Sequence, residues 1–265
     1  MSDTALQVEN LSVWLGAGQT RKQIVDNISF SLKTGETVGL VGESGCGKTM
    51  TAMAIMGLLQ MTEASVQCDQ MAINDVDISA LSAEQRRSFL GRDIAMVFQQ
   101  PGTALDPVFT IGKQIAAVYQ RHIGGNKEQA RKATLESLET VGFSNAGSIA
   151  AAYPHQLSGG MRQLSMIAMA MVCKPAVIIA DEPTTALDAS TSNLILQQLK
   201  ELQMTHNTAI LLISHDLSVV RQICRRAMVM YCGRIVEEAD ILRLFTNPGH
   251  PYSAGLLSCI PQISN

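Results

Sequence analysis

Three groups of residues in this chain have types and spacing suited to phosphate chemistry. The first, Gly42-Glu43-Ser44-Gly45-Cys46-Gly47-Lys48-Thr49, fits G-x-x-x-x-G-K-[ST] at every position. Small residues there let successive backbone N–H groups curl round a phosphate at the positive end of a helix. Lys48 adds a point charge for the β and γ phosphates, and the Thr49 hydroxyl can ligate Mg²⁺. The second is the apolar run Val177 to Ala180, which ends on Asp181 and Glu182. Asp181 can hold Mg²⁺ through water, and Glu182, pointing differently one residue on, can orient and deprotonate an attacking water. A strand that ends in Asp-Glu also fits a plain strand close and helix cap, so its weight comes from the glycine loop. The third is His215 in LLISHD, after another apolar run. A lone histidine after a strand is more often structural; together with the other two groups it becomes a candidate γ-phosphate contact.

A second glycine loop stands more than a hundred residues further on, in LSGGMRQLSMIAM at 157–169. Ser158 can cap the helix that follows, and Gly159 and Gly160 leave its first N–H groups open to an anion. Taken locally this is an ordinary N-cap, and no strand feeds it. One nucleotide already has its phosphate loop, so the second loop lacks a substrate within the same set of motifs.

The elements needed to hold these residues are legible as patterns. The first forty residues alternate like strands, which predicts an antiparallel β start. ETVGLVGESGCGKTMTAMAIMGLL runs from a continuous apolar strand through glycines into a helix, the context the phosphate loop requires. From about residue 82 to 170 the character turns helical: EQRRSFLG, Ile111 to Arg121, KEQARKATLESLETVGF, and the helix entered through Ser158. AVIIADEP, TAILLISHD and RAMVMYCGRIVEEA are then short β-rich runs, with the helix TSNLILQQLKELQMTH between the first two, the alternation expected of βα units round a largely parallel sheet. The predicted organisation is one α/β domain. Residues 1–99 and 172–239 form a nucleotide-binding core, 100–171 a helical subdomain and 240–265 a C-terminal tail.

Composition narrows the function classes. With 46% apolar residues in 265 the chain can bury a core. A balance of 20 basic against 23 acidic residues, without dense Lys or Arg runs, argues against nucleic acid as a partner. The six cysteines form no C-x-x-C pair, so no disulfide framework or zinc site is readable, and a reducing compartment is expected. His122, His155, His206 and His250 make no spaced cluster with acids or thiols. The start MSDTALQVENLSV lacks the basic and apolar regions of a signal peptide, so no secretion is expected. Apolar stretches such as MIAMAMVC are far short of the roughly 18 to 20 residues that cross a bilayer.

These motifs, in this order, resemble the ATP-binding subunits of ABC transporters: the loop at 42–49, Gln99 in MVFQQP, LSGGM at 157–161, IIADEP at 178–183, TALD at 185–188 and His215. The resemblance covers nearly the whole chain. It implies a P-loop NTPase core with a mostly parallel sheet, an N-terminal antiparallel β region and an inserted helical subdomain, binding ATP and Mg²⁺. It also gives the second glycine loop a substrate, because in the family the LSGG loop of one subunit closes over the γ-phosphate held by the other. By the same resemblance Gln99 reaches Mg²⁺ and the attacking water, Asp188 works across the dimer interface, and the nucleotide contacts run through Met50. The implied site is thus Lys48, Gln99, Glu182 and His215 for catalysis. Residues 42–50, Ser158, Gly159, Gly160 and Asp188 bind nucleotide, and Thr49, Gln99 and Asp181 hold the metal.

QQPGTALDP, LSGGMRQ, IADEPTTALD and GRIVEEADILRLFTNPGHPYSAGLLSCIP are similar to the peptide and nickel import branch. This implies a second, related or identical ATPase subunit, two integral membrane permease subunits and an extracytoplasmic solute-binding protein. The chain would then sit peripherally on the cytoplasmic face of the inner or plasma membrane. The absence of a cysteine-rich extension beyond the tail, and Gln100 after Gln99, resemble the nickel and metal-chelate members more. Three positions depart from the family. Leu15 stands where an aromatic normally stacks on adenine, with Trp14 next to it; Leu164 replaces an arginine after LSGGMRQ; and Cys46 lies inside the phosphate loop, where alkylation is expected to block ATP binding. A soluble ABC-type ATPase of DNA repair or translation is the rival reading. It requires long coiled coils between the two glycine loops or a second cassette, and the chain has neither. A P-loop small-molecule kinase would leave the LSGG loop and His215 unused.

Overall fold

The structure, a computed structural model, describes residues 3–61 and 63–259. The close of the tail resemblance, from Ile260 on, therefore lies outside the described residues. In chain order the elements begin with β1 (Thr4–Leu15), β2 (Lys22–Lys33), β3 (Thr37–Val41), α1 (Lys48–Ile55), β4 (Ala64–Gln67), β5 (Gln70–Ile73) and β6 (Val76–Asp77). There follow α2 (Ala83–Phe89), β7 (Ile94–Val97), α3 (Pro101–Ala104), α4 (Ile111–His122), α5 (Lys127–Thr140), α6 (Ala146–Ala151) and α7 (Gly159–Met171). The last elements are β8 (Val177–Asp181), α8 (Ala189–His206), β9 (Ala209–Ser214), α9 (Leu217–Ile223), β10 (Arg226–Tyr231), β11 (Arg234–Asp240), α10 (Ile241–Thr246) and α11 (Pro251–Ser258). They gather into two compact units, one from the chain up to Leu81 and from Ala209 onward, the other from Ser82 to Thr208.

In the first unit an antiparallel sheet runs β2-β1-β5-β6, with β4 also paired to β1. From Asn27 to Lys33 strand β2 alternates strictly, with Ile28, Phe30 and Leu32 buried and the residues between them exposed. That is the pattern of a sheet wet on one face. A second set of strands is built differently: β3 lies between β9 and β10, parallel to both. Every residue of β3 and β9 is buried, so these strands read as unbroken apolar runs. The edge is closed by β11, antiparallel to β10 through a turn at Cys232 and Gly233, both at positive φ (46° and 84°). Two consecutive residues of that kind match the twist of a tight hairpin.

One charged group ties the unit together. Arg226 at the start of β10 donates to Glu36, with Nε–Oε1 at 2.8 Å and Nη2–Oε2 at 3.1 Å, and also bonds Glu238 on β11 and the Ser31 carbonyl on β2. Burial alone would raise the Glu36 carboxyl, but the Arg226 hydrogen bond and charge outweigh it and hold the group below its usual range.

In the second unit β7 pairs parallel with β8, Ile94 opposite Val177 and Val97 opposite Ala180. Strand β7 falls inside the stretch whose composition reads as helical. Four buried residues, Ile-Ala-Met-Val, are too short a run for periodicity to separate strand from helix. The helices start where side-chain acceptors stand. Ser82 with Gln85, and Asn126 with Gln129, form capping boxes on α2 and α5, and Thr110 caps α4.

Candidate functional site

In the first unit, β3 hands the chain to the loop 42–47 and α1 takes it up at Lys48. Two glycines are required there by geometry. A Cβ at Gly42 would stand 2.2 Å from the Met230 carbonyl oxygen, and Gly47, at φ +115°, would place one 2.8 Å from the Ile24 carbonyl oxygen. Gly47 is the N-cap of α1 and offers no side-chain acceptor, the kind of helix start that anion-binding loops use. The buried Lys48 side chain folds back over the loop, Nζ donating to the carbonyls of Gly42 (2.8 Å) and Glu43 (2.9 Å). Its charge is thus held against the loop backbone by two carbonyls. Thr49 and Met50 follow in the first turn of α1.

His215 leaves β9 directly after Ser214, which lies opposite Val41 in the parallel register, so it emerges at the same strand end as the phosphate loop. It lines a cleft of about 970 Å³ together with Glu43. Cys46 is buried, and burial pushes its thiol up by more than the neighbouring Lys48 charge pulls it down. The pairing of β1 with β2 is irregular between Val13 and Trp14, and the Arg21 guanidinium stands 4.6 Å over the Trp14 ring. Leu15 pairs with Lys22.

In the second unit, the matched ends of β7 and β8 bring Gln99, Asp181 and Glu182 out at one edge. Asp181 is buried as the last residue of β8. Glu182 takes φ +48°, a left-handed conformation that costs a non-glycine residue on the order of 1 kcal/mol. Its Oε2 accepts from Gln99 Nε2 at 3.1 Å and from the Thr185 hydroxyl at 2.8 Å. Sequence reasoning missed Thr185. The available signal was a hydroxyl three residues past the acid, across a turn that the Thr185 N–H closes onto the Glu182 carbonyl at 3.2 Å.

The second glycine loop stands beside the start of α8. Ser158 caps α7 by accepting from the Met161 N–H at 3.3 Å. Asp188 caps α8 and accepts from the hydroxyls of Ser190 (2.5 Å) and Thr191 (2.7 Å) and from the Thr191 N–H (2.9 Å). Those bonds, Ser190's first, hold its carboxyl far below the usual range, so it is an anion at neutral pH. A Cβ on Gly160 would meet Thr191 Cγ2 at 2.3 Å, so this glycine also makes room for α8. Leu164 is buried in α7.

By donor chemistry alone, each residue expected at the metal offers an oxygen: in the first unit the Thr49 hydroxyl, in the second the Asp181 carboxylate and the Gln99 amide oxygen. Gln99 donates through Nε2 to Glu182, which leaves its Oε1 as the acceptor. Such a set suits a hard cation like Mg²⁺.

A buried parallel strand feeding a glycine loop and helix, and a second parallel strand ending on a held carboxylate, together define a nucleoside-triphosphate-hydrolysing cassette of the P-loop class. The ABC transporter family profile matches residues 25–185. The oligopeptide transport ATP-binding protein AppD of Bacillus subtilis (strain 168) is 45% identical over 260 residues, which cover 98% of this chain and 79% of AppD. The glutathione import ATP-binding protein GsiA of Escherichia coli (strain K12) is 45% identical over 263 residues, 97% of this chain but only 42% of GsiA. Among solved structures, the ATP-binding cassette MJ0796, in a dimeric post-hydrolysis state bound to ADP and Pi, superposes with a TM-score of 0.78. It is 27% identical, over 89% of this chain and 98% of that one. The chain belongs to the ABC transporter family. It is an ATPase of the importer type, its ATP hydrolysis coupled to transport, and neither relative gives support to a role in DNA repair.

Proposed function

We propose that this ATPase drives uptake of short peptides, working in a dimer that encloses two ATP molecules. The names of AppD and GsiA, oligopeptide and glutathione transport, support a peptide cargo over nickel or another metal chelate. In this reading the N–H groups and Lys48 of the 42–50 loop hold the β and γ phosphates, and His215 contacts the γ-phosphate. Ser158, Gly159 and Gly160 close over the nucleotide bound to the partner ATPase, related or identical, and Asp188 lies at that interface. Glu182 takes the proton of a water that attacks the γ-phosphorus as the bond to ADP breaks. Gln99 and Thr185 aim its carboxylate. Bound through Thr49, Gln99 and Asp181, Mg²⁺ would neutralise charge on the phosphate oxygens.

Loss of the γ-phosphate removes contacts made only in the closed dimer, and the subunits separate. The motion would pass through the segment after Gln99 to two integral membrane permease subunits, fed by an extracytoplasmic solute-binding protein. Among the described residues no helix is long and apolar enough to cross a membrane. In this reading the chain attaches peripherally to those permease subunits, at the cytoplasmic face.

The observation that carries this reading is Glu182, in a left-handed conformation and gripped by Gln99 and Thr185. Strain of this kind persists at functional sites. Glu182→Gln should keep ATP affinity near wild type, lower turnover by about 10²- to 10⁴-fold, and accumulate an ATP-bound dimer in size-exclusion chromatography. Unchanged hydrolysis would refute the assigned role.

A further inference from the structure

The phosphate loop is gripped from its outer side by the hairpin β10–β11 and by helix α11. Gly233 N–H donates to the Cys46 carbonyl at 3.0 Å, and the Asp26 N–H in turn donates to Gly233 at 2.8 Å. On the other flank the Glu43 N–H donates to the Tyr252 hydroxyl at 3.2 Å. The Tyr252 ring rests on that of Tyr231, centroids 4.2 Å apart, so the last residue of β10 and the second of α11 form one aromatic step beneath the loop.

The placement of Tyr252 is itself built. Glu237 on β11 accepts from the N–H groups of Gly249 (2.6 Å) and His250 (3.0 Å), and His250 Nδ1 accepts from the Tyr252 N–H (3.1 Å). A carboxylate on the strand edge thus anchors the segment that opens α11, and the helix start then delivers the hydroxyl.

We infer that Tyr252 is a positioning residue for ATP binding: its hydroxyl, anchored through Glu237, holds the Glu43 peptide in the shape the phosphate loop needs. The backbone of Glu43 is held at both of its polar groups, its N–H by Tyr252 and its carbonyl by Lys48 Nζ. When a triphosphate draws Lys48 away, the Glu43 carbonyl keeps the 3.3 Å bond from the Cys46 N–H, and the Tyr252 hydroxyl goes on holding the N–H side. A loop already in its bound shape pays less ordering entropy when ATP arrives. The inference rests on the reading of residues 42–50 as the ATP site. Glu43 is exposed and water competes for its N–H, which keeps the expected effect small.

The test uses the full chain and a fluorescent ATP analogue, with ATPase kinetics alongside. Tyr252→Phe keeps the ring on Tyr231 and removes only the hydroxyl. It should raise both the Kd of the analogue and the KM for ATP by about two- to fivefold, with kcat within about twofold. The thermal midpoint should not move. Glu237→Ala, which frees the start of α11, should reproduce the rise in Kd, while Tyr252→Leu should shift the midpoint as well. Lys48→Ala is the control for the site. If it loses analogue binding while Tyr252→Phe binds as wild type does, the Tyr252 role is overturned and the ATP site stands. If Lys48→Ala binds unchanged, the site reading itself fails. A fall in kcat at unchanged Kd would also overturn the inference, since it would place Tyr252 in the chemical step.

Discussion

Cys46 occupies the phosphate loop, yet its thiol is buried and pushed up, whereas Cys232 and Cys259 are exposed. The thiolate is the reactive form, and raising the thiol's proton affinity removes it at neutral pH. The expectation that alkylation blocks ATP binding therefore acquires a condition. Iodoacetamide at pH 7 should label Cys232 and Cys259 first, leaving nucleotide affinity intact. Cys46 should react only at higher pH or in mild denaturant, and binding should fall with it. Mass spectrometry of the labelled peptides beside a binding assay checks the order; early labelling of Cys46 would contradict the burial seen here. The residue chemistry of this loop was legible from its spacing. The position of Thr185 against Glu182 was not, because a hydroxyl in a turn carries no motif until the turn is closed.

At the scale of elements, the approach of α7 to α8 explains Gly160 in terms beyond anion binding. Its missing side chain admits Thr191, whose hydroxyl and N–H hold Asp188. Gly160→Ala should destabilise the fold by about 1–3 kcal/mol, as overpacking of a tight contact does. Adding Thr191→Ser, which deletes Cγ2 and keeps the hydroxyl, should recover much of the loss in thermal unfolding. If the double variant is no better than Gly160→Ala, the helix contact is not the cause. The cap of α7 was readable as Ser158 ahead of a helical period, whereas Thr110, Asn126 and Asp188 show themselves as caps of α4, α5 and α8 in the structure. Strand β7 was not readable, since four buried residues carry no period.

Between the two sets of strands in the first unit, Arg226 links β2, β10 and β11 to Glu36. The Glu36 carboxyl lies below its usual value of 4.5 when folded. A group shifted downward stabilises the fold above its unfolded value, and that contribution disappears as pH falls through the folded value. Glu36→Gln should therefore cost about 1–2 kcal/mol at pH 7, and the gap from wild type should narrow once pH drops below about 4.5. Denaturant titrations of both proteins across that window provide the check. A gap that persists at low pH would show that the ion pair contributes nothing through its charge. Neither Glu36 nor Arg226 stood out in the sequence, where they are 190 positions apart.

The sequence by itself determined the chemistry of the 42–49 loop, the acid at the end of an apolar run, and the burial of the parallel strands. Each of these follows from residues adjacent in the chain or set by a local period, and backbone sterics and hydrophobic patterning act at that range. The tertiary structure alone decided which distant groups complete them: Gln99 and Thr185 on Glu182, Thr191 against Gly160, Tyr252 beneath Glu43. Hydrogen bonds and steric contacts of that kind depend on where separate elements meet, and the relative placement of elements is not written in any local spacing.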